Sequence, residues 1–435
     1  MNTAPHFPEG TGVSRRLLLA AAAGAGWSAS LGLGGCSQPK SDKVLTVAAF
    51  PLVDEIVRAA APAWRALHPG IAIEVVSRQY GDHHTAMTTA LSTSVYLPDV
   101  MALESSYVGR FSQGQGLEDL AQAPYRAQRL RERFVPYAFD QAINKRGEVV
   151  ALPTDIGPGT LLYRHDLLTR AGLQISDLNG SWEDYVDAGI QLKAKTGAYL
   201  ISSAQVIKDI LVRSKLAPGE GLYFDRESRV LVESPRFERA FELARRVRKH
   251  RLDARVKPWT NDWAEGFRRG TLATEPTGAW MVGQMANWVA PETRTLWRAS
   301  QLPEKTFVGY GGTYYALPRR ADAQRKALAW DLVQLLTLNR DQQYAAFKSQ
   351  DAFPALLETF DDPFFEQPLP FLGGQPARLL WRDAAREIRA TEVHKQTNFA
   401  DEVVGTELDN VLEHDKPIPL ALADAARLLA HRAHR

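Results

Sequence analysis

Between residues 44 and 104 the sequence alternates short β-rich runs with segments of helical periodicity. The strand-like runs are 44–50, 71–77 and 99–104, and a polar helix is predicted near 82–93. The order β-α-β-α-β is typical of a mostly parallel sheet with helices on both faces. This alternation therefore limits the first part of the chain to the α/β class.

A second series of strand and helix signals follows from residue 149. Ser181 and Asp184 stand at capping-box spacing, which predicts a helix beginning at Ser181. Ser234 followed by Pro235 predicts another helix start, with serine as N-cap and proline at the first helical position. The remaining signals are strand-like runs at 149–154, 161–164, 272–274 and 306–310, and helices from Asp322 onward.

Length, charge and cysteine content exclude several classes of protein. The chain has 435 residues and one cysteine, Cys36. A body of this size exceeds what one core normally organises, so two lobes are expected, without a disulfide or a cysteine zinc site. Lys and Arg total 52 and Asp and Glu total 50. This balance gives no support for nucleic-acid binding, which requires a concentrated basic face.

The N-terminal residues have the pattern of an export signal followed by an anchor. Arg15 and Arg16 precede an apolar stretch that glycine and alanine dilute too much for a permanent membrane helix. The sequence Leu-Gly-Gly-Cys at 33–36 resembles the lipobox of bacterial lipoproteins, which are cut before the cysteine and lipidated on it. This resemblance implies a signal peptide over 1–35, a tether over 36–42 and lipidation of Cys36. An ordinary thiol is the alternative, and a twin-arginine export route stays open.

Short motifs in a fixed order carry a second resemblance. They are Leu-Pro-Asp-Val at 97–100, Gly-Leu-Glu-Asp-Leu at 116–120, Leu-Pro-Thr-Asp-Ile-Gly at 152–157, Leu-Tyr-Arg-His-Asp-Leu-Leu at 162–168, Ser-Trp-Glu-Asp at 181–184, Gly-Ala-Trp at 278–280 and Ala-Leu-Pro at 316–318. In order and spacing they resemble the extracellular solute-binding lipoproteins of ABC importers, of the sugar-type, maltose-binding-protein-like branch. The similarity runs from about residue 44 to the C-terminus.

The resemblance implies a two-lobed periplasmic-binding-protein fold of type II. In such an α/β fold each lobe has a mixed, mostly parallel sheet flanked by helices, and a hinge joins the lobes. Carried over, the first lobe comprises 43–152 and about 307–338, and the second comprises 153–306 and about 339–435. The chain crosses between lobes near 153–157, before Phe307, and between 338 and 353. The Gly-Pro-Gly-Thr segment at 157–160 is expected to be a crossing turn.

The implied function is that of the substrate-binding component of an ABC importer. The protein would capture a carbohydrate in the cleft between the lobes and deliver it to the transmembrane subunits of a permease. It is expected to be an exported monomer, anchored to the outside of the cytoplasmic membrane, with neither a cofactor nor catalysis. Binding of a non-sugar solute and presentation of ligand to a sensor are alternatives. An exported hydrolase is a further alternative, because paired carboxylates of the glycosidase type leave no sequence motif.

A sugar site needs partners for many hydroxyls and flat surfaces for apolar ring faces, so carboxylates, amides and aromatic rings are the natural lining. Strand ends, the lobe crossings and the resemblance together single out ten candidate ligand-binding residues: Phe50, Glu104, Ser105, Asp155, Gln205, Trp280, Tyr310, Gly311, Gly312 and Trp381. A core position is the alternative for Trp280, a turn cap for Asp155, and an exposed loop for Glu104.

Two further features of the sequence bear on ligand chemistry. Lys208 raises the option of an acidic substituent on the ligand. His83 and His84 are adjacent on a predicted helix and lack a third ligand at suitable spacing, so no metal site is expected and both histidines are assigned to the surface.

Overall fold

The computed structural model describes residues 43–217, 220–391 and 394–433. The signal peptide, the lipobox and the tether predicted over 1–42 lie outside these residues. The described strands are β1 Val44–Ala49, β2 Ala72–Ser77, β3 Val100–Glu104, β4 Leu152–Arg164, β5 Thr274–Gly278, β6 Trp297–Ser300, β7 Gly309–Ala316 and β8 Phe353–Pro354.

Helices cover the strands. The α-helices in the described ranges are α1 Val53–Ala59, α2 Ala61–Leu67, α3 Tyr80–Thr93, α4 Ser105–Gln113, α5 Pro136–Gln141, α6 His165–Ala171, α7 Ser176–Asn179, α8 Trp182–Thr196, α9 Gln205–Leu211, α10 Pro235–Lys249, α11 Asn261–Arg268, α12 Met281–Gln284, α13 Ala323–Leu338, α14 Arg340–Gln350, α15 Ala377–Glu387, α16 Thr397–His414 and α17 Ile418–Ala430. Shorter 3₁₀ or π turns occupy Ala127–Arg133, Met285–Val289, Pro291–Thr293, Pro303–Lys305, Leu357–Thr359, Pro363–Glu366 and Pro370–Leu372. Within the described ranges, none of the helices combines the length and the apolar character needed to cross a bilayer.

The first three strands form the parallel sheet that the sequence predicts. β1 pairs with β2 and with β3 in parallel, with Val44 opposite Ala72 and Val47 opposite Val100. Helices α1, α2 and α3 connect these strands, as the β-α-β-α-β order requires. The α/β assignment for this region is therefore confirmed.

The rest of the sheet is antiparallel and is organised around β4. The first half of β4 pairs with β7, with Leu152 opposite Tyr315, and the second half pairs with β5 and β6, with Gly159 opposite Gly278. Among the described strands two pairings are parallel and five are antiparallel. The mixed α/β class is confirmed. Among the named strands parallel pairing is limited to β1–β3, and two isolated parallel bridges join Tyr199 to Leu272 and Ile201 to Asp253.

Strands at or next to the three predicted lobe crossings lie side by side. β7 pairs with β4 over 152–158, and β8 pairs with Asp155 and Ile156 of β4. The 157–160 segment is not the expected turn, since it continues β4 without a break. The meeting of these segments agrees with a hinge, while the lobe boundaries themselves stay a prediction.

The apolar core of the described residues divides into three clusters. One cluster is enclosed by α8, α9, α10, α16 and α17 and includes Trp182 and Phe237. A small cluster under α3 and α4 includes Met101. The largest cluster joins residues of both predicted lobes, from Val47 on β1 to Trp297 on β6. The crossing strands are therefore packed as part of a continuous core.

Candidate ligand-binding cleft

A cleft of about 1000 Å³ opens where β1, β3 and β5 end, where β7 begins, and where α9 and α16 face these strands. Eight of the ten sequence-predicted candidates line it: Phe50, Glu104, Ser105, Asp155, Trp280, Tyr310, Gly311 and Gly312. A volume of this size accommodates a ligand larger than one sugar ring. Whether each residue contacts ligand stays a prediction.

Glu104 is the last residue of β3 and the N-cap of α4. Its carboxylate accepts hydrogen bonds from the backbone N–H of Ser106 at 2.9 Å and from the hydroxyl of Ser105 at 2.6 Å. The hydroxyl of Tyr80 also donates to it, at 2.9 Å. Glu104 is thus held in one orientation at the cleft wall, and the exposed-loop alternative does not describe it.

The histidine pair supports this wall from behind. His83 and His84 are fully buried, 0% and 1% exposed, so the expected surface position is wrong. His84 Nδ1 lies 2.8 Å from the carbonyl oxygen of Tyr80, and its Nε2 accepts the backbone N–H of Glu104 at 3.1 Å. Burial lowers the pKa of His84 to about 4, so the ring is neutral and acts as a structural bridge. The sequence pattern missed this because a polar helix gave no sign of its buried face.

Phe50 follows β1 and belongs to the same aromatic group. Its ring centroid lies 5.7 Å from that of Tyr80 and 5.5 Å from that of His84. The edge-to-face contact with Tyr80 fixes the ring at the floor of the cleft. Tyr80 was not among the predicted site residues, although it precedes the histidine pair on α3.

Trp280 stands on the opposite wall, directly after β5. Its indole N–H donates to the carbonyl oxygen of Tyr310 at 2.8 Å, so the ring orientation is set by β7. Glycines make this approach possible. A Cβ at Gly157 would lie 2.0 Å from the Tyr310 oxygen, and one at Gly278 would lie 2.3 Å from Nε1 of Trp280. Trp280 is only partly buried, which favours the platform over the core alternative.

Further tryptophans extend from Trp280 toward solvent. Trp259 stacks on Trp280 with ring centroids 5.8 Å apart and an interplanar angle of 17°, and Trp288 follows at 6.2 Å and 28°. Both outer rings are about half exposed, and Trp259 has a φ of +67°, a region unfavourable for a bulky side chain. We call Trp259, Trp280 and Trp288 the tryptophan row. It offers an extended flat surface along one side of the cleft.

Two carboxyl groups of the cleft have raised pKa values. Burial raises the pKa of Asp155 to about 6, although hydrogen bonds from Thr313 oppose the shift. Burial raises the pKa of Glu275 on β5 to about 8, and the nearby indole of Trp263 opposes it only partly. Glu275 is 5% exposed, and its Oε2 has no hydrogen-bond partner in the described structure. At neutral pH Glu275 is therefore mostly protonated and can offer a hydroxyl hydrogen to a ligand, whereas Asp155 is mostly ionised and offers acceptor oxygens.

A network of charges lies where α9 faces α16. Lys208 is 2% exposed, and its ammonium contacts Asp209 at 2.5 Å and Asp401 at 3.0 Å. Tyr223 donates a further hydrogen bond to Asp401. Lys208 is therefore enclosed and neutralised, and the idea that it meets an acidic substituent is wrong. Arg213, one turn beyond α9, lines the cleft instead.

Two of the ten predicted site residues lie elsewhere. Gln205 donates from Nε2 to the carbonyl oxygen of Gly405 at 3.0 Å and to Asp409 at 2.8 Å, which commits its amide to α16. Trp381 is 3% exposed and packs in the largest core cluster. Neither lines the cleft, because both side chains are used to dock C-terminal helices onto the body.

The described residues contain no group of three or more His, Cys, Asp or Glu side chains arranged to hold a metal ion. The site residues that sequence reasoning missed are Tyr80, Arg213, Trp259, Trp263, Glu275 and Trp288. Trp259 carried the clearest signal, since it stands between Lys257 and Thr260 in a polar stretch, whereas Trp288 lies in a mostly apolar segment.

Comparison with known proteins gives consistent matches over most of the chain. A profile for bacterial extracellular solute-binding proteins matches residues 59–369. A lactose-binding protein of Rhizobium radiobacter is 23% identical over 386 residues, covering 82% of this chain and 87% of that protein.

Solved structures share the fold. The ABC transporter associated binding protein from B. animalis subsp. lactis, in complex with β-1,6-galactobiose, aligns with a TM-score of 0.73 at 20% identity, covering 90% of this chain and 98% of that one. The sugar-binding protein MalE from Xanthomonas citri also aligns with a TM-score of 0.73, at 19% identity over 89% of this chain and 98% of that one. The expected type II periplasmic-binding-protein fold is confirmed by these likenesses.

Proposed function

The chain belongs to the bacterial extracellular solute-binding protein family, and we propose that it captures a sugar or oligosaccharide for an ABC importer. The ligand binds in the cleft, and the loaded protein docks on the transmembrane subunits of a permease. The family is one of binding proteins, not of enzymes, and we propose that this member carries out no catalysis.

The tryptophan row beside buried carboxyl groups is the observation that carries this proposal. Flat indole rings cover the apolar C–H faces of sugars with little loss of side-chain entropy. Glu104, Asp155 and Glu275 supply acceptors for hydroxyls that would otherwise lose hydrogen bonds on burial, and Glu275, which its raised pKa keeps protonated at neutral pH, also supplies a donor. The lactose-binding relative and the galactobiose-bound structure support carbohydrate as the ligand class.

Binding couples to closure in this proposal. Ligand contacts residues on both walls, such as Glu104 at the end of β3 and Trp280 after β5. A ligand that bridges the walls binds the closed arrangement more tightly than an open one, and this difference shifts the population toward closure. A micromolar affinity corresponds to about 8 kcal/mol, which is ample for such a shift.

A thermal-shift screen followed by calorimetry tests the proposal. The purified protein is titrated with neutral and acidic mono- and oligosaccharides, polyols, peptides and polyamines. We expect at least one carbohydrate to raise the melting temperature and to bind with micromolar affinity or better. Stabilisation by a peptide or a polyamine alone, with every carbohydrate inactive, would falsify the sugar assignment.

We also propose that the protein is exported, lipidated on Cys36 and tethered outside the cytoplasmic membrane as a monomer. The lipobox-like sequence at 33–36 and membership of an extracellular family support this. Replacing Cys36 by Ser should move the protein from the membrane fraction to the soluble exported fraction. Continued retention in the membrane fraction would argue against the anchor.

A further inference from the structure

No polar contact in the described structure engages the guanidinium group of Arg213. Its Nε is buried and has no hydrogen-bond partner, and its other nitrogens make no hydrogen bond or ion pair with the described residues. The group lies 5.7 Å from the ring centroid of Tyr310, against which it packs. A guanidinium presents five donors, so burying one without partners is costly unless a ligand supplies them.

The acids nearest to Arg213 are already engaged. Both are bonded to the buried ammonium of Lys208, Asp209 at 2.5 Å and Asp401 at 3.0 Å. Asp401 accepts a further bond from Tyr223. The local charges therefore balance, while the hydrogen-bonding capacity of Arg213 stays unfilled.

Arg213 also marks the entrance to a side branch of the cleft. A smaller pocket of about 400 Å³ shares Arg213, Leu222, Gly309, Arg389 and Thr391 with the main cleft. The branch contains four basic side chains, Arg213, Lys215, Lys305 and Arg389, and two acidic ones, Glu304 and Glu387.

Glu304 neutralises one of these four cations, Lys215. It is bonded to Lys215 at 2.9 Å and to Arg239. Arg389 is exposed and, like Arg213, makes no ion pair with the described residues. Lys305 and Arg389 then face a single acid, Glu387, so the branch keeps a small positive excess beside the unfilled hydrogen-bond donors of Arg213.

Building on the proposed carbohydrate function, we infer that the ligand carries an anionic group, which enters this branch and is held by Arg213 with Arg389 nearby. A carboxylate, as in a uronic acid, fits the planar fork of a guanidinium by two parallel hydrogen bonds, and a sugar phosphate offers similar oxygens. The tryptophan row then takes the neutral rings of the same ligand. The substrate class is an acidic oligosaccharide or an acidic sugar derivative.

Calorimetry with matched ligands tests this inference. Maltose, lactose and cellobiose are each compared with the form carrying a C6 carboxylate and with the 6-phosphate. We expect an anionic form of at least one disaccharide to bind more than tenfold tighter than its neutral parent. The carboxylate and phosphate arms then identify which anion the branch prefers.

Substitutions at Arg213 separate recognition of the anion from folding. Arg213→Gln should reduce the preference for the anionic form to below threefold, and Arg213→Lys should give an intermediate value because an ammonium lacks the planar fork. Arg294→Gln, which removes an exposed arginine away from the cleft, serves as the control and should leave the preference unchanged. Melting curves of all three variants establish that they fold.

Two results would overturn the inference. If the neutral parents bind as tightly as both anionic forms, the branch does not discriminate between anionic and neutral ligands, although the sugar-binding proposal still holds. If Arg213→Gln weakens neutral and anionic forms by the same factor, Arg213 has a structural role. Failure of every carbohydrate to bind would instead refute the proposed function on which the inference rests.

Discussion

At the scale of one residue, Glu275 shows that burial in the cleft disfavours the ionised form of a carboxyl group. Its carboxyl is 5% exposed, and Oε2 is without a hydrogen-bond partner in the described structure. Burial raises its pKa from 4.5 to about 8. Between these values the folded protein retains a proton that the unfolded chain releases. The free energy of unfolding therefore falls as pH rises toward 8, and it loses this contribution completely above 8.

Glu275→Gln should remove this pH dependence, since an amide has a similar shape and no charge. The variant should be more stable than wild type at pH 9 by at least about 1.4 kcal/mol, the equivalent of one pKa unit, and the gain should shrink toward pH 5. Urea unfolding at pH 5, 7 and 9 measures this. Glu233→Gln, at an exposed position, is the control and should show no such trend. A gain that is equal at all three pH values would contradict the raised pKa.

Trp280 provides the residue-scale test of stacking. Trp280→Ala should weaken binding of the identified sugar about tenfold or more, which corresponds to about 1.4 kcal/mol. Trp280→Phe keeps a flat ring but loses the bond to Tyr310, so its affinity should lie between those of Ala and Trp. Tyr96→Ala removes a ring that is 90% exposed outside the cleft and should not alter binding. Equal affinities of Trp280→Ala and wild type would exclude the platform role.

At the scale of elements, two helices begin with a serine but use it differently. Ser181 accepts a hydrogen bond from the backbone N–H of Asp184 at 2.9 Å. Ser234 precedes α10 in the same way, but its side chain makes no capping bond and its Oγ is buried without a partner among the described residues. The sequence predicted both helix starts correctly. It did not show that the serine side chain makes a capping hydrogen bond at one start and none at the other.

This difference predicts opposite outcomes for two matched substitutions. Ser181→Ala should cost about 1 kcal/mol, because the cap bond of α8 is lost. Ser234→Ala should cost nothing or stabilise the protein slightly, because it removes a buried hydroxyl that lacks a partner. Chemical denaturation of both variants measures the change. Equal destabilisation by the two would contradict the capping geometry.

β4 explains why part of the site was hidden in the sequence. The Gly-Pro-Gly run at 157–159 has the composition of a turn, yet the chain continues as a strand there. The glycines are needed because Gly157 lies under the Tyr310 carbonyl, where a Cβ would come within 2.0 Å. That contact joins residues far apart in sequence, so no local pattern could reveal it. Glu104, by contrast, was predicted because the end of a strand is visible locally, and Asp155 was predicted because the family resemblance places it at a lobe crossing.

At the scale of the whole molecule, the order of short motifs was more informative than any single one. It predicted the fold class, and β7 and β8 both pair with β4 near the predicted hinge, while the crossings themselves stay a prediction. The motif order wrongly placed Gln205 and Trp381 at the ligand site. Docking of α15 and α16 onto the body decides which side chains remain free for ligand, and both of these are used in that docking. Long-range packing of C-terminal helices has no counterpart in local periodicity. Trp259 and Trp288 escaped prediction for the same reason, since they join Trp280 in the tryptophan row only in the folded chain.

The proposed closure can be measured across the mouth of the cleft. Asp82, at the start of α3, and Glu402, on α16, are exposed and lie beside the cleft-lining residues Tyr80 and Asp401. In a Cys36→Ser background, the chain has no other cysteine, so Asp82→Cys and Glu402→Cys can carry two spin labels. If ligand draws the walls together, the distance between the labels should shorten or its distribution should narrow when sugar is added.

A second label pair distinguishes closure from a general tightening of the protein. Asp82→Cys with Glu132→Cys places both labels in the predicted first lobe, on exposed positions. Their distance should stay constant with ligand, because each lobe moves as a unit in a hinge motion. If the Asp82–Glu402 distance is unchanged under saturating sugar, ligand binds a preformed cleft and the permease must recognise something other than closure. If both distances change, the lobes are not rigid, and the boundaries at 152 and 307 would have to be redrawn.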